Sequence, residues 1–194
     1  MASWDEMDKD CLTLRRLFFL AYDESFFVKA LQNIVKNDLS LVEQFLGQGT
    51  HFKAFRLKKR WPKPDISYVV SCDQSSPQEW VLRQAWFHAL ERLGKLALPL
   101  IPPFKIIRHE GHYAIVMPYG LKDMSPIHEV WQPLADAVTL LQREMAKNGF
   151  WIRDSLQCVQ LHGIPFVYDL SDLDYLQASP SAAFSTRQKK SEID

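Results

Sequence analysis

Apolar residues recur at helical spacing from residue 10 into the thirties: Leu12, Leu14, Leu17, Phe18, Leu20 and Ala21, then Phe26, Phe27, Ala30, Leu31 and Ile34. No glycine or proline interrupts them. Asp23, Glu24 and Ser25 mark a break or second start, with Asp23 or Ser25 as cap. The spacing predicts two short helices or one kinked helix, ending near Asn37-Asp38. The period then shortens. Phe45-Leu46 and Phe52, Ala54, Phe55, Leu57 read as two strands joined by a turn at Gly47-Gln48-Gly49. Trp61-Pro62-Lys63-Pro64 reads as a loop, because neither proline can continue a ladder. Ile66, Tyr68, Val69 and Val70 form a β-branched and aromatic strand candidate.

The clearest helix covers residues 77–94. Ser76 supplies a cap, Pro77 suits the first helical position, and Glu79 stands three residues after the cap. Trp80, Val81, Ala85, Trp86, Ala89, Leu90 and Leu93 give it an apolar face, and Gly94 is placed to stop it. Phe104–Ile107 and Tyr113–Met117 then read as a hairpin turned at Glu110-Gly111. A second long helix spans about 129 to 147, stopped by Asn148-Gly149. Two short apolar runs follow, Phe150–Ile152 and Ile164–Tyr168. The order predicts an α+β fold with a five-stranded antiparallel sheet and one inserted helix. The expected divisions are a helical extension over 1–44, a sheet lobe over 45–120, a helical lobe over 121–177, and a disordered tail rich in Ser, Ala and charge over 178–194.

Composition narrows the function. The 47% hydrophobic and 24% charged content is that of a globular chain, which argues against global disorder. With 23 basic and 23 acidic side chains the net charge is zero, so no nucleic-acid partner is expected. Cys11, Cys72 and Cys158 lie too far apart to form a paired-cysteine zinc motif, and point to reduced thiols and a cytoplasmic location, another cell's cytoplasm included. No apolar run is long enough to span a bilayer, and the acidic start has the wrong sign for a secretory signal. His109-Glu110-Gly111-His112 has the wrong spacing for a zinc helix and reads as a polar turn.

Three segments carry a resemblance to the protein-kinase-like superfamily, over roughly residues 45–175. Leu46-Gly47-Gln48-Gly49-Thr50-His51-Phe52-Lys53 resembles the glycine-rich loop that covers nucleotide phosphates, where glycines let the backbone approach closely. The same residues also read as a plain hairpin turn. Gly149-Phe150-Trp151-Ile152-Arg153-Asp154 resembles the catalytic loop, with Ile152 in place of the histidine. Gly163-Ile164-Pro165-Phe166-Val167-Tyr168-Asp169 resembles the strand leading to the magnesium aspartate. The resemblance implies a small lobe of five antiparallel strands plus one helix, and a truncated helical large lobe. It implies ATP and magnesium as cofactors, Gly47 and Gly49 over the phosphates, Asp154 as proton acceptor in an active member, and Asp169 as metal ligand.

The departures point the other way. The family's third-strand lysine, which pairs with the nucleotide phosphates and a helix glutamate, is absent; Ser71 or Cys72 stands there. The catalytic-loop asparagine is replaced by Val159, and the glycine after the metal aspartate is missing. Few residues follow Asp169, so the large lobe is expected to be truncated. Lys53 offers a compensation similar to that of the with-no-lysine kinases, which take the phosphate lysine from the second strand. Its stem reaches about 6 Å and neighbouring strands lie about 4.8 Å apart. Lys53 also reads as one of a solvated basic group with Arg56, Lys58, Lys59 and Arg60. Glu91 is the helix carboxylate best spaced to pair with such a lysine. It reads equally as a surface residue.

Three functions therefore stand. The leading one is a kinase-like binding or regulatory module, a pseudokinase that takes a nucleotide. The second is an active atypical ATP-dependent phosphotransferase using Lys53, Asp154 and Asp169. The third is a protein-interaction scaffold that needs no nucleotide and meets a partner through the helical N-terminus or through Trp4, Trp61 or Trp131.

Overall fold

The structure, a computed structural model, describes residues 4–59, 66–74, 80–121, 131–152, 157–168, 170 and 173–175. The chain opens with two helices, α1 (Trp4–Leu20) and α2 (Glu24–Val35). The break between them falls where the sequence places it. Asp23 caps α2, its carboxylate accepting from the Phe26 backbone N–H at 3.2 Å. α1 starts earlier than expected, its first turn carrying Asp5 and Glu6, which complement the helix dipole.

Five strands follow with one helix inserted: β1 (Val42–Gln48), β2 (Phe52–Leu57), β3 (Tyr68–Asp73), α3 (Trp80–Leu96), β4 (Lys105–His109) and β5 (His112–Pro118). They form one antiparallel sheet in the order β1-β2-β3-β5-β4. The predicted α+β class and five-stranded sheet are thus observed. The β4–β5 turn forms at Glu110 (φ 47°) and Gly111 (φ 80°), where a two-residue hairpin turn needs positive φ at both positions. Gly94 does not stop α3, which runs two residues further. It makes room instead: a Cβ there would lie 2.8 Å from Phe104 Cζ. The proposed α3 cap at Ser76-Pro77 lies outside the described residues.

The last part holds α4 (Trp131–Lys147) and four short strands: β6 (Phe150–Ile152), β7 (Cys158–Leu161), β8 (Ile164–Val167) and β9 (Leu173–Tyr175). β7 pairs with β8 and β6 with β9, both antiparallel. The β7–β8 turn repeats the positive-φ device at His162 (φ 52°) and Gly163 (φ 80°). Pro165 lies inside β8, which a two-stranded edge tolerates. β7 and β9 were not anticipated. The expected tail at 178–194 lies outside the described residues.

Alternation on the strands splits the core in two. Phe55, Leu57, Tyr68, Val70, Cys72, Ala114 and Val116 form one face and pack with Phe18, Phe27, Ala30 and Leu31 of the first two helices. Val69, Ile115 and Met117 form the other face and join Trp86, Phe87, Leu90 and Leu93 of α3, Leu141 and Met145 of α4, and Phe150 and Val167 beyond. α1 crosses from one part to the other: Leu14 packs on Val159 and Phe166 of the β7–β8 hairpin, while Phe18 lies behind the sheet. Among the described residues no helix is long and apolar enough to cross a membrane.

Candidate functional site

A cleft of about 800 Å³ opens between the sheet and the β7–β8 hairpin. Its roof is the β1–β2 turn, Gly47 to His51, with Phe52 and Ala54 beyond it. Val69 and Ser71 of β3 and Ile115 and Met117 of β5 form the sheet wall. Trp86 and Leu90 of α3 stand at the inner end, and Val159, Tyr168 and Leu170 make the floor. Pro118, Tyr119 and Gly120 bound it where the chain leaves the sheet.

The turn is shaped by its glycines. Gly47 has φ +151°, a backbone that side chains with a Cβ rarely adopt, and it coincides with a shift in the β1–β2 register. Gly49 N–H donates to the Phe52 carbonyl at 2.9 Å and closes the turn. A Cβ added at either glycine would meet nothing within 4 Å, so a ligand can approach the backbone there.

The opposite end is fixed by close contact. Leu121 N–H donates to the Gln160 carbonyl at 2.8 Å, and Gln160 N–H returns the bond at 2.9 Å. At Gly120 a Cβ would stand 2.6 Å from Val159 Cγ2 and 2.8 Å from Phe166 Cζ, so only glycine lets the connection lie on the hairpin. Arg56, on the cleft face of β2, stacks over Tyr119 at 4.4 Å and pairs with Glu43 at 3.3 Å.

Of the residues singled out from sequence, Gly47 and Gly49 line the cleft. Lys53 does not. It pairs across the sheet with Cys72, as Phe55 does with Val70, so it belongs to the face covered by α1 and α2. The expectation of a cleft lysine on β2 is corrected by this parity: the cleft residues of that strand are Phe52 and Ala54. Glu91 is on α3 but outside the cleft lining. Its carboxylate accepts from Arg108 Nη2 of β4 at 2.7 Å and lies 3.6 Å from His88 Nδ1, at 40% side-chain exposure. Asp154 and Asp169 lie outside the described residues, as does Trp61. Val159, at the expected asparagine position, is buried in β7 and offers no metal ligand. Gln157 accepts a hydrogen bond from the Tyr168 hydroxyl, and its carbonyl accepts from Tyr168 N–H at 3.0 Å. Among the described residues no group of three or more His, Cys, Asp or Glu side chains is placed to hold a metal ion.

Sequence reasoning missed Arg83 and Asp73. Arg83 Nε lies 3.6 Å from Asp73 Oδ1, joining the start of α3 to the end of β3 behind the inner wall. A lone arginine beside Trp80, Trp86 and Phe87 was the available signal. The thiols are quiet by comparison. Burial pushes Cys72 up to about 12 and Cys158 up to about 11, so neither supplies a thiolate nucleophile near neutral pH. No protein-family model matches the sequence, and a search of curated proteins returned no significant match.

Proposed function

We propose that this chain is a kinase-like binding module whose cleft takes a nucleotide and which carries out little or no phosphoryl transfer. The observation that carries this reading is the cleft itself, roofed by the Gly47–His51 turn and set between a five-stranded sheet and the hairpin that follows the long helix. Its volume falls within the roughly 300–1,000 Å³ common for small-molecule sites. Ala54, Val69, Ile115 and Met117 above, with Val159 and Leu170 below, suit a flat heteroaromatic ring, and the open space at Gly47 and Gly49 suits a group that bonds to backbone N–H.

The same residues argue against efficient transfer. That chemistry rests on positioning and on neutralising phosphate charge. Ser71 stands in the cleft wall where a cation is expected, Lys53 belongs to the other face, and Val159 is apolar. Asp169 is the residue that would hold a magnesium ion, since a hard cation prefers carboxylate oxygen, and it would do so without a partner from position 159.

Thermal unfolding with and without ATP and magnesium tests the reading. A ligand at 100 times its Kd adds about 2.7 kcal/mol, which raises the midpoint by roughly 5–10 °C at this chain length. Absence of any shift, with ATP, ADP or adenosine, would leave the scaffold function. Turnover near one per second, abolished by Asp154→Ala, would establish the atypical phosphotransferase instead.

A further inference from the structure

The resemblance implies a strand base paired with a helix acid. The inner end of this cleft holds a pair of opposite polarity. Asp73 ends β3 on the cleft face, directly across from Phe52 of β2. Arg83 approaches it from α3, and the two side chains are only 4% and 8% exposed. The guanidinium also lies over three rings: Trp86 at 4.4 Å, Phe52 at 4.8 Å and Phe87 at 6.0 Å. Phe52 and Trp86 line the cleft, while Arg83 and Asp73 sit behind them. Trp86 extends the chain of contacts, its indole Nε1–H donating to the Leu170 carbonyl at 3.1 Å. Leu170 is the sequence neighbour of Asp169.

A buried ion pair is a weak source of stability, because desolvation offsets much of the attraction. Its geometry is another matter. A planar guanidinium can meet a carboxylate while presenting its faces to aromatic rings, which an ammonium cannot do. We propose that Arg83 is the positioning residue of the cleft. Held by Asp73, it sets Phe52 and Trp86 as the inner wall and, through Trp86, fixes the backbone at Leu170. Its consequence for ligand binding rests on the nucleotide reading above; the coupling from Arg83 to Leu170 does not.

The test uses the full chain and the variants Arg83→Met, Arg83→Lys, Asp73→Asn, Trp86→Phe and the Arg83→Met/Trp86→Phe double. Leu31→Ala, in the other core, is the control for general destabilisation. Hydrogen exchange is followed in the peptide carrying Leu170. Arg83→Met and Trp86→Phe should each speed its exchange by about tenfold, and the double variant should add nothing further, as expected for two residues acting in series. Arg83→Lys should fall between parent and Arg83→Met, and Leu31→Ala should leave this peptide slow. Should Arg83→Met fail to fold, Asp73→Asn, which keeps every ring, should produce the same release. Binding of ATP and of adenosine is titrated in parallel, and Arg83→Met should weaken whichever binds by about tenfold while Leu31→Ala does not. If neither probe binds the parent, the nucleotide reading falls while the exchange result still decides the positioning role. Parent-like exchange at Leu170 in both Arg83→Met and Asp73→Asn, or additive effects of Arg83→Met and Trp86→Phe, would overturn it.

Discussion

On one face of the five-stranded sheet, Tyr68, Val70, Cys72 and Val116 are sealed by Phe18, Phe27 and Leu31 from the first two helices. On the other, Val69, Ser71, Ile115 and Met117 meet α3 at the inner end and otherwise border the cleft. The same strands supply both faces, one residue apart. The covered face is filled by aromatic rings in contact, with Phe27 and Tyr68 centroids at 4.9 Å and Phe18 and Tyr68 at 5.5 Å. The open face carries the cross-strand pair Ala54 and Ser71 at its centre, side chains too small to fill the space above them. Side-chain size at alternate positions thus decides which face is filled completely and which leaves a cleft beside its core.

The largest effect should come from the covered face. Phe27→Ala removes a ring that is 1% exposed and should cost about 3–5 kcal/mol, read as a drop in the denaturant midpoint. Alkali should strike the same face. Burial pushes Cys72 and Tyr68 up to about 12, so folding favours their protonated forms. Their contribution is full below the ordinary thiol range and is lost as pH rises toward 12, so stability measured by urea titration should fall across that window. Cys72→Ala should flatten part of the fall.

At the border between the faces, Gly120→Ala forces a Cβ against Val159 and Phe166 and should destabilise by about 1–3 kcal/mol. Filling the open face should spare stability and remove binding. Ser71→Leu should change stability by under about 1 kcal/mol and abolish any ATP-induced shift in unfolding temperature. A large loss of stability in Ser71→Leu would mean that the front face is core rather than site. The smallest change is Glu91→Ala, which breaks an exposed pair with Arg108 and should cost about 0.2–1 kcal/mol, with nucleotide response unaltered.

The alternation that separates the faces was legible from residue order, and so was the sheet it builds. The β-branched and aromatic runs at Tyr68–Val70 and Tyr113–Met117, with the apolar positions of Phe52–Leu57, point to strands rather than helices. Two of the short elements were not legible. The β9 strand has three residues, too few for a period to show, and β7 lies in a segment first read as a catalytic loop. Lys53 stood open between a cleft and a solvated position because distance from a glycine turn says nothing about which side of a strand a residue occupies. Its shared parity with Phe55 and Leu57 was the better guide. Arg83 and Asp73 were invisible as a pair because no local period links a strand end to the next helix.

α1 has a consequence for how the chain is made. Its residue Leu14 finds its partners at Val159 and Phe166, and the Cys11 thiol donates to the Ile101 carbonyl, a contact spanning 90 residues. During synthesis the first helix emerges long before the hairpin that covers it. At ribosomal speeds of about 5–20 residues per second, Leu14 and its apolar neighbours wait roughly 8–30 s for that hairpin. A nascent chain of this kind offers a chaperone a long-lived apolar target, and slow codons between α4 and β8 would lengthen the exposure.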